Sequence, residues 1–192
     1  SMKILNAIAC IDLAVLQETL NNGGHYEFYH VLVCLLDYCA PRAPSGVAVR
    51  PDKLQDESTE LLHETVTLLG YYCLGHAANQ GIMWKLGEGQ TLLARITSLP
   101  MHYFLQESSR SKLFPTILAT CFRCSMNREL LRNEMHFSYL QRFLDGHIKA
   151  QQAGKQLQDK SPQGFARRFP PVLWQEALEF FSEDLSDAGE GA

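Results

Sequence analysis

A chain of 192 residues, 46% hydrophobic and 20% charged, can bury a core as one domain or a short repeat array, and it reads as an ordinary soluble globular protein. Its longest apolar run, "VLVCLL" at 31–36, stops at Asp37, far short of the roughly 20 residues that cross a bilayer, which excludes a membrane span. The formal charge of -4 is unevenly spread: residues 1–75 hold four Lys/Arg against nine Asp/Glu, and residues 121–168 nine against four. That polarity bears on partners rather than on fold.

In chain order, Ile4, Leu5 and Ile8, then Leu13, Leu16 and Leu20, predict two short helices, with Asp12 as the N-cap between them. Asn21 to Gly24 stop the pattern. Phe28, Tyr29, Leu32, Val33, Leu35 and Leu36 give the next helix an apolar face to about Cys39, where "APRAPSG" supplies the first loop. A long helix over 52–74 carries Leu54, Leu61, Leu62, Val66, Leu69 and Cys73 on one stripe, behind an acidic first turn that suits a helix N-terminus. In "GHAANQGIMWKLGEGQTLLARI", residues 75–96, "ANQ" ends one helical element, "GIMWKL" is a short second helix and "QTLLARI" a third. Gly75 closes the long helix, and Gly87 to Gly89 form the corner before the third.

A short helical turn follows Pro100. The next helix starts near Ser111, with Leu113, Phe114, Ile117, Leu118 and Cys121 on one side and Pro115 in its opening turns. Helices are expected over 127–133 and 137–149. The polar stretch 150–164 reads as a flexible linker, and a last helix runs from about Pro170 to Glu183, with Leu173, Trp174, Ala177, Leu178 and Phe181 inward. Residues 185–192 should be a disordered tail. With no convincing alternating strand, the chain is all-α.

The strongest organising signal is internal repetition. A shift of 48 residues aligns Asn79 with Asn127, Ile82 with Leu130, Met83 with Leu131, Leu92 with Leu140, Ile96 with Leu144 and Cys73 with Cys121. A three-helix unit of about this length is the armadillo or HEAT pattern, an α-solenoid whose units bury their faces by stacking. Residues 1–149 are then helical repeats with degenerate N-terminal capping helices, and residues 165–184 are a C-terminal helix packed on them.

No catalytic constellation emerges. Gly81 and Gly87 are separated by five residues where a Walker loop has four, and Glu88 stands where a cation is needed. "HETVT" at 63–67 lacks the second histidine of a zinc protease helix, which leaves His63 an ordinary polar residue on a helix flank. "CFRC" at 121–124 has zinc or redox spacing but no second pair, and at a helix C-terminus its thiols gain nothing in acidity. The six cysteines show no disulfide framework, so reduced thiols in a cytosolic setting are expected. Ser1 ahead of Met2 reads as a tag remnant on a piece of something longer, with no cleavable signal. The expectation is a non-enzyme without cofactor, metal or small-molecule substrate.

What remains is a surface rich in Arg and aromatic side chains, the residue types that dominate protein interfaces. Arg123, Arg128, Arg132, Tyr139 and Arg142, with Asn79 and Trp84 on the preceding repeat, are the candidates for partner binding. RNA contact by the basic half is the alternative, and the overall acidic balance makes nucleic acid the less favoured partner.

The segments "LLHETVTLLGYYCLGHAANQGIMWKLGEGQTLLARITSLPMHYF", "KLFPTILATCF" and "FARRFPPVLWQEALEFF" resemble, in order, the C-terminal domain of the family named for S phase cyclin A-associated protein in the endoplasmic reticulum. The resemblance departs at residues 150–164. It implies an α-helical scaffold acting in tubulin messenger RNA autoregulation, which recruits the Ccr4-Not deadenylase complex through its accessory subunit numbered eleven. It also implies cyclin A binding through other parts of the full-length protein, and a cytoplasmic location at the endoplasmic reticulum surface.

Overall fold

A computed structural model of the chain describes residues 2–22, 25–40, 53–85, 89–154 and 164–182, and every regular element among them is helical. Helices α1 (Met2–Ile11) and α2 (Leu13–Asn22) form a tight pair, and Asp12 caps α2 by accepting the Val15 N–H at 3.0 Å, as its position predicts. Helix α3 (His25–Cys39) follows, then α4 (Lys53–Cys73), against which α1, α2 and α3 all pack. Two short helices, α5 (Ala77–Gln80) and α6 (Leu92–Thr97), lead to α7 (His102–Leu105) and to α8 (Glu107–Cys121), the main partner of α4. Helices α9 (Ser125–Glu134), α10 (Ser138–Gln152), α11 (Phe165–Arg168) and α12 (Trp174–Ser182) complete the order.

The α4–α8 crossing is close because of two small side chains. A methyl group on Gly70 would sit 2.8 Å from Thr116 Oγ1 and 3.2 Å from Thr116 Cα, so only glycine permits this approach. Thr116 Oγ1 donates to the Val66 carbonyl at 2.7 Å and accepts from Arg168 Nη2 at 2.6 Å. Around this point α8 is buried at every position from Leu113 to Cys121. A one-sided apolar stripe was the expectation. Thr116 and Thr120 complete the other sides because their hydroxyls bond to carbonyls, which removes the cost of burying them.

Helix α8 begins at Glu107, one turn before the predicted start near Ser111, so Pro115 lies in its interior. Proline cannot donate to the carbonyl four residues back, and that acceptor is Ser111. The buried Arg168 side chain fills the gap, with Nη1 donating to the Ser111 carbonyl at 3.3 Å. A helix defect and a buried cation thus answer one another.

The 48-residue repeat is legible in the backbone. Helices α4 and α8 both end in a left-handed residue, Gly75 at φ +66° and Arg123 at φ +60°. The next residues, His76 and Cys124, are N-caps with φ/ψ of -125°/95° and -124°/99°. Asn79 Nδ2 donates to the Tyr72 carbonyl and Asn127 Nδ2 to the Thr120 carbonyl, each at 2.8 Å and each seven residues back. Amides from elsewhere in the chain complete both corners. Gln17 Nε2 reaches the Tyr71, Tyr72 and Leu74 carbonyls, and Gln80 Nε2 reaches those of Ala119 and Phe122. Each corner therefore has its orphan helix-end carbonyls satisfied by side chains. The third helices do not match, since α6 has six residues and α10 fifteen.

Several boundaries differ from the sequence expectation. "ANQ" does end a helical element, the short α5, with His76 Nδ1 accepting the Asn79 N–H, but of the helix expected over "GIMWKL" the described residues form only a 3-10 turn at Gly81–Met83. Gly89 has φ +101°, which suits a corner, while Gly87 and Glu88 lie outside the described residues. Helix α10 continues to Gln152 into the stretch expected as linker, of which residues 155–163 lie outside the described residues, as do 183–192 and the "PRAPSG" loop. The terminal helix starts at Trp174 rather than Pro170, because Pro170 and Pro171 open a 3-10 turn that ends at Leu173.

Gly70→Ala should lower unfolding free energy by about 1–3 kcal/mol through overpacking, and Thr116→Val by a similar ~1–3 kcal/mol through the acceptor and donor it leaves unpaired. Urea titrations of both variants and of the double variant check this. The effects should be non-additive, because both changes act on one contact.

Candidate partner-binding surface

The seven residues singled out from the sequence divide sharply in space. Asn79 is 1% exposed and Arg128 2%, so neither presents its side chain to a partner. Asn79 holds the first corner. Arg128 lies with its guanidinium 5.5 Å from the Phe137 ring and 5.2 Å from the Phe180 ring, so it is an internal strut rather than a surface cation. The sequence hid this because an arginine between polar neighbours on an amphipathic helix looks solvent-facing until α12 is known to cover it.

Arg123 is exposed but engaged. Its Nε and Nη2 donate to Glu176 Oε1 and Oε2 at 2.7 and 2.6 Å, a bidentate pair with α12, and its guanidinium stacks 5.0 Å from Phe122. Glu176 holds the arginine above its ordinary pKa through that hydrogen bond, and the arginine lowers the carboxyl in return. Arg132 is exposed and lies 5.6 Å over Phe137. Arg123, Arg128 and Arg132 therefore lie along an aromatic row of Phe122, Phe180, Phe181 and Phe137 that seats α12. Trp174 and Ala177, fully buried, and Phe181 complete that seat, with Trp174 stacked 4.8 Å from Phe165 and donating Nε1–H to the Phe169 carbonyl.

Tyr139 and Arg142 are exposed on α10, and Trp84 is 47% exposed at the end of the 3-10 turn. Beside Tyr139 the surface opens into a groove of two chambers that share Met135 and His136. One, of about 200 Å³, is walled by Thr97, Met101, Phe104, Glu134 and Tyr139. The other, of about 240 Å³, is walled by Arg132, Phe137, Gln141, Phe181 and Ser182. Arg132 and Tyr139 were legible in the sequence as surface candidates, whereas Met101, Met135 and His136 were not, because they come together only through the packing of α6 on α9.

The thiols and histidines have structural surroundings. Burial pushes the Cys121 thiol up to about 12 and raises Cys73 strongly, the direction expected for Cys121 but from desolvation rather than from the helix end. Among the described residues no group of three His, Cys, Asp or Glu is placed to hold a metal ion. His63 is half-buried on α4, with Nε2 2.9 Å from the Tyr103 hydroxyl of α7. Burial first, then Lys112 and Arg168, hold its imidazole below the ordinary value. Among the described residues no helix is long and apolar enough to cross a membrane.

These features define an all-helical body with two repeated corners, a clamped C-terminal helix and a surface groove. Compared with known proteins, the chain is similar to S phase cyclin A-associated protein in the endoplasmic reticulum of Homo sapiens, 28% identical over a 191-residue alignment that covers 94% of this chain. That is the protein for which the family resembled by its sequence motifs is named. The chain spans only 13% of that relative's length. No family model matches the chain, and no solved structure matches it.

A histidine whose folded pKa is depressed adds its full stability above the unfolded value near 6.5 and loses it as pH falls towards the folded value. Unfolding free energy should therefore drop between pH 7 and pH 5. His63→Gln should flatten that slope without abolishing it, since burial depresses His102 in the same direction. Chemical denaturation across this range, wild type against variant, is the check.

Proposed function

We propose that the chain is a non-catalytic adaptor of armadillo-like helical repeats that recruits the Ccr4-Not deadenylase complex, through its accessory subunit eleven, in tubulin messenger RNA autoregulation. The observation that carries the repeat reading is the pair of corners at Gly75 and Arg123, alike in backbone angles, in the Asn tie seven residues back and in the amide that closes each from another part of the chain. Corners of this kind set the stacking of successive units, and stacked units present extended surfaces to partners. The motifs shared with the named relative support the deadenylase role by resemblance.

The groove beside α10 is the surface best suited to that role, because Arg132, Tyr139 and two methionines meet there. RNA binding draws less support: Arg128 is buried and Arg123 is paired with Glu176, so two cations of the basic half are committed within the fold. Cyclin A association belongs to the relative's name. For this protein we assign it, with location at the endoplasmic reticulum surface, to the longer protein of which the chain would be part.

The test is retention of purified recombinant Ccr4-Not complex on the immobilised chain. Retention that disappears when the accessory subunit is omitted is the expected result, and failure to retain any subunit removes the reading. Charge reversal at Arg128 is unsuited to mapping the contact, because a carboxylate between Phe137 and Phe180 would disturb the fold.

A further inference from the structure

We propose that the two-chamber groove takes an acidic partner segment, which seats one large apolar side chain between Met101, Phe104, Met135 and Tyr139 and sets its carboxylates against the α10 edge at Arg142. This deepens the adaptor reading and rests on it.

The apolar half of the argument is burial in waiting. Met101 is 66% exposed and Tyr139 38%, both on the lining of one chamber, although Phe104 in the same lining is buried. The chamber they border, about 200 Å³, has the size for a leucine-class or aromatic side chain and is lined by soft, adaptable groups. Covering it would take that apolar surface out of water, which favours association.

The sign of the partner follows from the charges around the rim. Tyr139 and Arg142 are three residues apart on α10 and so face the same way. Arg142 is exposed and makes no ion pair among the described residues, and nearby Lys149 is bound to Asp145 at 2.6 Å. Arg132 stands on the wall of the second chamber, with His136 between the two. The one carboxylate in the lining, Glu134, stands on the α6 side of the first chamber, opposite the α10 edge, with Thr97 Oγ1 donating to it at 3.5 Å. A segment that runs past Tyr139 along α10 therefore meets Arg142, which favours a carboxylate there over a cation.

A phage-displayed library of random twelve-residue peptides, selected on the intact chain, tests the chemistry without presuming the partner. Enriched peptides should be acidic, with a single Leu, Met, Phe or Trp. A synthetic peptide of that consensus should bind about tenfold or more weakly to Met101→Glu and to Arg142→Glu, and more weakly as salt rises. Both substitutions fall on exposed side chains, and unchanged thermal unfolding confirms that the variants fold. Enrichment of basic peptides, no enrichment, or binding indifferent to both substitutions overturns the proposal. Ccr4-Not retained equally by both variants would overturn the groove while keeping the adaptor role. Acidic peptides bound at the groove with no deadenylase retained would support the groove and remove that role.

Discussion

The distance of closest approach between α4 and α8 is fixed by a glycine facing a threonine, and the rest of the body is built outward from that contact. Gly70 lets the helices meet, and the Thr116 hydroxyl bridges to the opposing backbone. The same oxygen accepts from Arg168, so the crossing also anchors α11 and thereby the approach to α12. Helices α1, α2 and α3 lie against α4, and α7, α10 and α11 against α8. Any widening of the central crossing would have to be absorbed by every one of these packed neighbours, and close-packed interiors transmit such strain.

The fold spends its arginines on assembly. Arg168 fills an acceptor that Pro115 leaves open, Arg128 is held between two phenylalanines, and Arg123 ties a helix corner to α12. Buried guanidinium groups carry a desolvation cost that hydrogen bonds and aromatic faces offset, and their rigid geometry specifies which segment docks where. The C-terminal segment is thus held by directed interactions as well as by the apolar area of Phe165, Trp174 and Phe181. Tyr139 and Arg142 on α10, by contrast, stay exposed.

Much of this was legible beforehand, and the pattern of what was not has physical causes. Helix periodicity gave the elements, and the alignment of Asn79 with Asn127 marked two positions that make the same hydrogen bond. Equivalence was readable; role was not. Both asparagines are internal ties because the chain folds back at each corner, and nothing in local composition distinguishes a buried amide from an exposed one. Pro115 was placed too near a helix start because the polar turn Glu107–Arg110 carries no apolar periodicity. The groove was invisible because Thr97 ends α6, Met101 precedes α7 and Met135 follows α9, three places that only the packing brings together.

The way the C-terminal segment completes the core has a consequence for how the chain is made. Trp174 and Ala177 have no exposed surface, and Phe165, Phe169 and Phe181 almost none, yet all lie within the last described segment. Until these residues leave the ribosome, the faces of α8 and α10 that receive them have no cover. The N-terminal helices can gather on α4 during synthesis, but the second half must wait for its final residues. Any delay or truncation there would present the cell with a half-closed body whose exposed aromatic surface is a target for chaperones.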